Sequence, residues 1–211
     1  KISNLNKDFV IFSMIREINL LLGVCKFLRL ISNKIVGREA NPINNWEKIN
    51  IFKRTVYKFL LYFAYNSFDK LIFNSNFTKN SIYRFIHIHS KVSFRVIGNP
   101  IILSNTNEAD DKNNYHNNHY QITNIGRLEH QKNQGFIIDA FFLAQKKKKN
   151  IYLKIIGSGS LLSKYQLKVK NLGINNKVEF IPYIHDINTQ LNKTDLFVMA
   201  SIFEGFGNVF V

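Results

Sequence analysis

Acidic residues are scarce in this chain. Fourteen Asp and Glu stand against twenty-nine Lys and Arg, leaving a formal net charge of +15. Such a field attracts anions: nucleic acid, phosphorylated small molecules or an acidic membrane surface. Cysteine is almost missing. The lone Cys25, in an apolar stretch, excludes an intrachain disulfide framework and fits a reducing compartment. Long uncharged apolar runs are missing too. The most apolar region, Phe9 to Ile31, contains Arg16, Glu17, Lys26 and Arg29, and falls short of the ~20 largely uncharged residues of a spanning helix. No secretory signal follows Lys1-Ile2-Ser3-Asn4. A soluble or peripheral protein is expected, and a first residue other than Met fits a fragment. No internal repeat with a period of about 20 to 50 residues is visible.

What is present is apolar bulk, with nineteen Phe and nine Tyr against a single Trp. A chain of 211 residues with this content can fill one or two domain cores. The abundance of Lys, Asn and Ile reads as compositional bias, so their counts carry no functional weight. The one dense cationic run, Lys146 to Lys149, closes an expected helix, where cations complement the dipole.

Patterning gives an alternation. Strands are expected at Asp8 to Ser13, Lys34 to Arg38, Asp69 to Asn74 and Lys91 to Ile97, with helices at Arg16 to Ile31, Ile51 to Tyr65 and Phe77 to Ile86. Ser75 is the expected N-cap of the third helix. Ser104 to His119 is polar and reads as a linker or surface loop. Alternation then restarts, with strands at Gln121 to Ile125, Ile151 to Ile156, Lys177 to Ile181 and Asp195 to Ser201. Helices are expected between them at Asn133 to Lys147, Leu161 to Leu172 and Ile187 to Leu191. Strands alternating with helices imply parallel α/β sheets. The expected organisation is residues 1–103, a linker at 104–119, and a second domain at 120–211.

Three strand ends in the second half carry chemistry. Gly126-Arg127 and then Lys132-Asn133 follow the first, and the two cations suit a diphosphate, one as a planar fork and one as a point charge. Gly157-Ser158-Gly159-Ser160 follows the second and opens a helix, where backbone amides can meet a phosphate or a base. Glu204-Gly205-Phe206-Gly207 follows the last, with glycines that let backbone approach a ligand. Each feature alone also reads as solvated charge or turn geometry.

Order and spacing together point further. Gly126-Arg127-Leu128, Gln131-Lys132-Asn133, Leu153 to Gly159, Val178-Glu179-Phe180 and Asp195 to Gly207 closely resemble the donor domain of the retaining GT-B glycosyltransferases of family 4, over Ile122 to Val211. Gly37 to Asn41, Asp69 to Ser75 and Ile97 to Pro100 bear a weaker resemblance to the family's acceptor half. The resemblance implies a GT-B-like fold of two Rossmann-like parallel-sheet domains, both incomplete. It implies a hexosyltransferase-type enzyme that moves a sugar from a UDP- or GDP-sugar to a glycan or lipid-linked acceptor with retention, in envelope or capsular polysaccharide synthesis.

Roles follow from the resemblance. Arg127 and Lys132 would hold the donor diphosphate and neutralise the leaving nucleotide, with no metal and no further cofactor. Glu204 would touch donor-sugar hydroxyls. The amides of Phe206, Gly207 and Asn208 would lie against sugar and phosphates, and Gly205 would also contact the donor. Gly126, Gly157, Ser158, Gly159, Val178 and Phe180 would line the nucleotide pocket. The family's second Glu would fall just after Val211, so the 211-residue chain alone is expected to be inactive. The setting implied is cytoplasmic, with the inner face of the cell membrane as a docking surface for the basic, aromatic stretch Phe9 to Tyr65.

Other features carry less. The pairs His87 with His89 and His116 with His119 lack Cys or carboxylate companions, and no metal site is expected. Phe59, Tyr62, Phe141 and Phe142 follow helical spacing and are expected in the core. Charge alone favours a nucleic-acid-binding protein, but no helix-turn-helix, zinc-finger or RNP signature is present. A non-catalytic remnant is the third reading.

Overall fold

A computed structural model describes residues 9–43, 50–100, 119–182, 184 and 187–207. Residues 104–118 of the linker expected at 104–119, His116 among them, and Asn208 lie outside the described residues. Two compact units divide the chain: Lys1–Ile102 with Glu204–Val211, and Leu103–Phe203. The second domain expected from sequence ran to Val211, whereas the compact units group Glu204 onward with the first.

The first unit runs β1 (Val10–Ser13), α1 (Arg16–Phe27), β2 (Lys34–Glu39), α2 (Ile51–Asn66), β3 (Lys70–Phe73), α3 (Asn76–Phe85) and β4 (Ser93–Val96). Its four strands pair in sequence order, all parallel. Alternate strand residues Ile35, Leu71 and Phe73 meet Leu61, Ala64 and Tyr65 of α2 in a closed core. Sheet formation by crossover helices makes both strand faces apolar, which is why these strands read as nearly continuous hydrophobic runs. Ser75 caps α3 as expected, its hydroxyl accepting from the Thr78 amide at 3.1 Å.

One boundary and one core assignment differ from the periodicity, each for a local reason. Helix α1 stops at Phe27 rather than continuing to Ile31, because Arg29 takes a left-handed φ of 58°. The amide of Leu30 then reaches back to the Cys25 carbonyl at 2.9 Å, and that of Arg29 to Lys26 at 3.0 Å, a Schellman-type end. Phe59, expected in the core, is 62% exposed, its ring meeting that of Phe63 edge-on. The first ten residues of α2 are largely exposed and only its later turns reach the core.

A charged network holds the first unit at the carboxyl end of β2. The Glu39 carboxylate is buried and accepts from Arg16 Nε at 2.9 Å, Asn19 Nδ2 at 2.9 Å and the Tyr65 hydroxyl. Burial first, then the charge on Glu39, pushes the Tyr65 phenol well above its ordinary range, so it remains a neutral donor. A second ion pair joins Lys26 to Asp69 at 2.5 Å, and Asp69 also accepts from the Ile35 amide at 2.8 Å.

The second unit runs β5 (Tyr120–Ile125), a single 3-10 turn (His130–Lys132), α4 (Gln134–Lys147), β6 (Ile151–Ile156), α5 (Leu162–Asn171), β7 (Val178–Ile181), α6 (Ile187–Asn192) and β8 (Leu196–Phe197). The strand order is β7-β6-β5-β8, all parallel. Leu153 and Ile155 of β6 pack with Ile138 and Phe141 of α4 and Tyr165 and Val169 of α5. Lys146 and Lys147 close α4, with the Lys146 ammonium over the Phe142 ring at 4.2 Å. Strand β8 is shorter than the expected Asp195 to Ser201. After Val198 the Asn124 side chain, not a strand backbone, donates to the Val198 carbonyl, and the chain turns off the sheet.

Two outcomes test these networks. Arg16→Met leaves Glu39 buried without its cation and should cost about 3–5 kcal/mol in urea unfolding, more than the double variant that also replaces Glu39 by Leu. For Asp69, burial raises the carboxyl pKa, but the Lys26 and Ile35 hydrogen bonds and neighbouring cations outweigh it and the net direction is down. A carboxylate depressed in the folded state stabilises above its unfolded pKa and loses that contribution as pH falls through the folded value. Asp69→Asn should therefore flatten the acid limb of the melting-temperature profile below about pH 4 and lower stability above it.

Candidate active site

In open parallel sheets ligands bind beyond the carboxyl ends of the strands. At that edge of the second unit the loops after β5 and β6 are stitched together by backbone. The Gly126 amide bonds the Ile156 carbonyl at 2.9 Å, the Leu128 amide bonds Ser158 at 2.9 Å, and the Leu161 amide bonds Leu128 at 3.0 Å. The Gly157 amide reaches across to Ile181 at the end of β7, at 2.8 Å.

This stitching explains the Gly157-Ser158-Gly159 turn. Gly157 has φ 142°, and a Cβ there would sit 2.1 Å from the Gly126 carbonyl oxygen. A Cβ on Gly159 would sit 2.4 Å from the Leu128 carbonyl oxygen. Both glycines are required by the approach of one loop to the other, before any ligand is considered. The turn also has an internal anion. Glu129 accepts from the Ser160 amide at 2.9 Å and from its hydroxyl at 2.8 Å. Those two bonds, from amide and hydroxyl in that order, hold the Glu129 carboxyl below its ordinary value.

Arg127 and Lys132 leave the same loop. Arg127 is exposed, and Gln134, fully buried at the start of α4, donates to its carbonyl at 3.0 Å. Lys132 is half-buried, and its aliphatic stem passes over Gly126, 3.6 Å from where a Cβ would be. The 3-10 turn ends at Lys132 and hands over to α4 through Asn133, left-handed at φ 53°.

Gln131, next to Lys132, ties in the segment after β8. Its carbonyl accepts from the Ile202 amide at 2.8 Å, and its side chain donates to the Phe203 carbonyl at 2.9 Å. Glu204 is the next residue along the chain and is half-buried. Gly205 is buried, and Phe206 and Gly207 are half-buried, Gly207 with φ 72°.

The residues expected to line a nucleotide pocket divide. Gly126, Gly157, Ser158 and Gly159 lie together at the carboxyl edge. Phe180 pairs with Ile155 one residue before the end of β7 and packs against the core. Val178 is different. It begins β7, is 8% exposed, and belongs to the core at the amino edge of the sheet. There it borders a cavity of about 300 Å³ with Tyr152, Asn176 and Glu179, at the end opposite the stitched loops. In the sequence Glu129 and Gln134 have no prominence, and Gln131 appears only as part of a motif. Their side chains secure loops through backbone partners, which no spacing rule reveals.

A family model described as Glycosyl transferases group 1 matches residues 105–211, and the chain belongs to that family. The N-acetylgalactosamine-N,N'-diacetylbacillosaminyl-diphospho-undecaprenol 4-alpha-N-acetylgalactosaminyltransferase of Campylobacter jejuni is 27% identical over 186 residues, covering 87% of this chain and 49% of that protein. An uncharacterized glycosyltransferase of Methanocaldococcus jannaschii is 31% identical over 109 residues, covering 52% and 27%. The chain thus spans about half the length of the first relative and less of the second. HepE of Anabaena, solved with UDP-glucose, superposes with a TM-score of 0.71 at 18% identity, over 95% of this chain and 55% of that one. TarM does so with 0.70 at 18%, over 96% and 38%. Two parallel-sheet α/β units with these neighbours define a GT-B-like fold.

The stitched loops make a contrast between two glycines measurable. Gly157→Ala should lower the unfolding midpoint sharply, since the new Cβ meets a carbonyl oxygen and φ is unsuited to an L-residue. Gly126→Ala, whose Cβ finds only the Lys132 stem at ordinary contact distance, should shift it little.

Proposed function

We propose that the protein of which this chain is part transfers a sugar, with retention, from a nucleoside-diphosphate sugar to a glycan or lipid-linked acceptor in polysaccharide synthesis. One observation carries the donor assignment. Gln131 holds both Ile202 and Phe203, so the chain arrives at Glu204 from a point fixed beside Lys132. In this reading Arg127 supplies a fork and Lys132 a point charge to the diphosphate. They neutralise the negative charge that grows on the departing nucleotide, and an electrostatic contribution of this kind needs no metal. Glu204, as a carboxylate, accepts hydrogen bonds from the donor's sugar hydroxyls. Gly205, Phe206, Gly207 and Asn208 present amides to the same donor. The departing phosphate takes the proton of the incoming acceptor hydroxyl, on the face it has just left, and the configuration is kept.

Calorimetric titration with UDP, UDP-glucose, UDP-N-acetylgalactosamine and GDP-mannose tests the assignment. Arg127→Ala and Lys132→Ala should each weaken the preferred nucleotide about 10- to 100-fold, the worth of a hydrogen bond to a charged group. Glu204→Gln should weaken the sugar nucleotide but not the free nucleotide. Salt-sensitive oligonucleotide binding without nucleotide selectivity would overturn the reading in favour of nucleic-acid binding.

An anionic bilayer is the proposed docking surface, engaged by the exposed start of α2. Ile51, Phe52 and Phe59 are 81%, 74% and 62% exposed, beside Lys53, Arg54 and Lys58, and α2 contains no carboxylate. Apolar side chains interleaved with cations suit a headgroup boundary. Lys26 is excluded from this role, since it is engaged by Asp69 and by the Asn33 carbonyl. Among the described residues no helix is long and apolar enough to cross a membrane. Replacing Lys53 and Arg54 by Glu should abolish sedimentation with phosphatidylglycerol vesicles; unchanged sedimentation would sink the docking surface.

A further inference from the structure

Ser75 has a second partner besides the helix it caps. We infer that Ser75 is a positioning residue for Glu204, holding the backbone of the loop that carries the carboxylate; the inference rests on the assignment of Glu204 to the donor sugar. The Ser75 hydroxyl lies 2.5 Å from the Gly205 carbonyl oxygen, across 130 residues of sequence. A hydroxyl has one hydrogen and two lone pairs. The hydrogen goes to Gly205, the shorter contact, and the lone pairs remain to accept from the Thr78 amide at 3.1 Å. The Thr78 hydroxyl, 3.1 Å away, completes the set as a donor. One atom therefore finishes α3 and fixes the residue after Glu204.

The surroundings leave the loop little choice of place. A Cβ on Gly205 would lie 2.0 Å from the Ala40 carbonyl oxygen and 2.8 Å from Asn74 Nδ2, so the backbone rests directly on the residues that follow β2 and β3. Asn74 itself donates to the Ala40 carbonyl at 2.7 Å, which braces that platform. The Phe206 ring covers Gly98, whose Cβ would meet it at 2.8 Å. Glu204 thus directly precedes a residue whose carbonyl is bound by a side chain and whose backbone has no room to shift. Carboxylates that must meet particular hydroxyls gain from such preorganisation, because little freedom remains to be lost on binding.

Substitutions at Ser75 separate its two roles. Ser75→Asp keeps a strong N-cap acceptor but has no proton to give to Gly205, whereas Ser75→Thr keeps both. Hydrogen–deuterium exchange is the readout that needs no ligand. In Ser75→Asp the peptide covering Gly205 to Gly207 should exchange at least about tenfold faster, with the α3 peptide and the melting midpoint unchanged, and Ser75→Thr should match the wild type. Gly98→Ala, which displaces the Phe206 ring while leaving the cap intact, should accelerate the same peptide. Unchanged exchange in both Ser75→Asp and Gly98→Ala overturns the inference.

Binding of UDP-glucose relative to UDP supplies the second readout. Ser75→Asp should remove the affinity increment due to the sugar as fully as Glu204→Gln does, with UDP affinity preserved. An increment lost in Glu204→Gln but kept in Ser75→Asp overturns the positioning role and leaves the donor assignment standing. An increment that Glu204→Gln does not touch overturns the assignment of Glu204, and the role of Ser75 with it.

Discussion

Parallel strands end in carbonyls and turns that have no neighbour of their own, and everything at the candidate site depends on how those ends are satisfied. In the second unit the answer is mutual. The loop after β5 supplies amides to the end of β6 and to the turn beyond it, and that turn returns one to Leu128. The arrangement closes only where carbonyl oxygens can come within reach of Cα atoms, hence glycine at 157 and 159. Arg127 and Lys132 are placed by that loop. They are cations on a loop tied by backbone bonds to its neighbour, which is the condition under which charge can be aimed instead of merely concentrated.

The first unit solves a different problem, the cost of a buried carboxylate. Glu39 is surrounded by a guanidinium and an amide from α1 and a phenol from α2. Buried pairs of this kind contribute little net stability over an apolar core but penalise any arrangement that leaves one partner alone. They therefore fix how α1 and α2 sit on the sheet, and so where the strand ends that carry Ala40 and Asn74 are found.

Much of this was legible in the sequence, and the parts that were not have definable causes. Alternating apolar segments located every strand and helix among the described residues, and Ser75 announced its cap by type and place. The end of α1 did not show, because a Schellman turn usually advertises itself by glycine and here uses Arg29. Nor did the early end of β8, where a side-chain amide of Asn124 replaces a strand partner. Val178 was misplaced for a simpler reason: a motif read as a block has two ends, and only Phe180 lies toward the carboxyl edge. The site cations were visible as residue types, while the structural roles of Glu129, Gln131 and Gln134 were not. Those roles are played on backbone atoms of other loops, and such partners leave no periodic trace.

Glu129 has one consequence for how a donor can lie here. Its oxygens already occupy the first amide and hydroxyl of the turn into α5, the place where a phosphate is ordinarily welcomed. A pyrophosphate directed to that turn would meet like charge; a heterocycle or a ribose would not. Under the proposed function, the Glu129 carboxylate would bias the orientation of the donor, admitting its neutral end to the turn after β6 and leaving its anionic centre to Arg127 and Lys132.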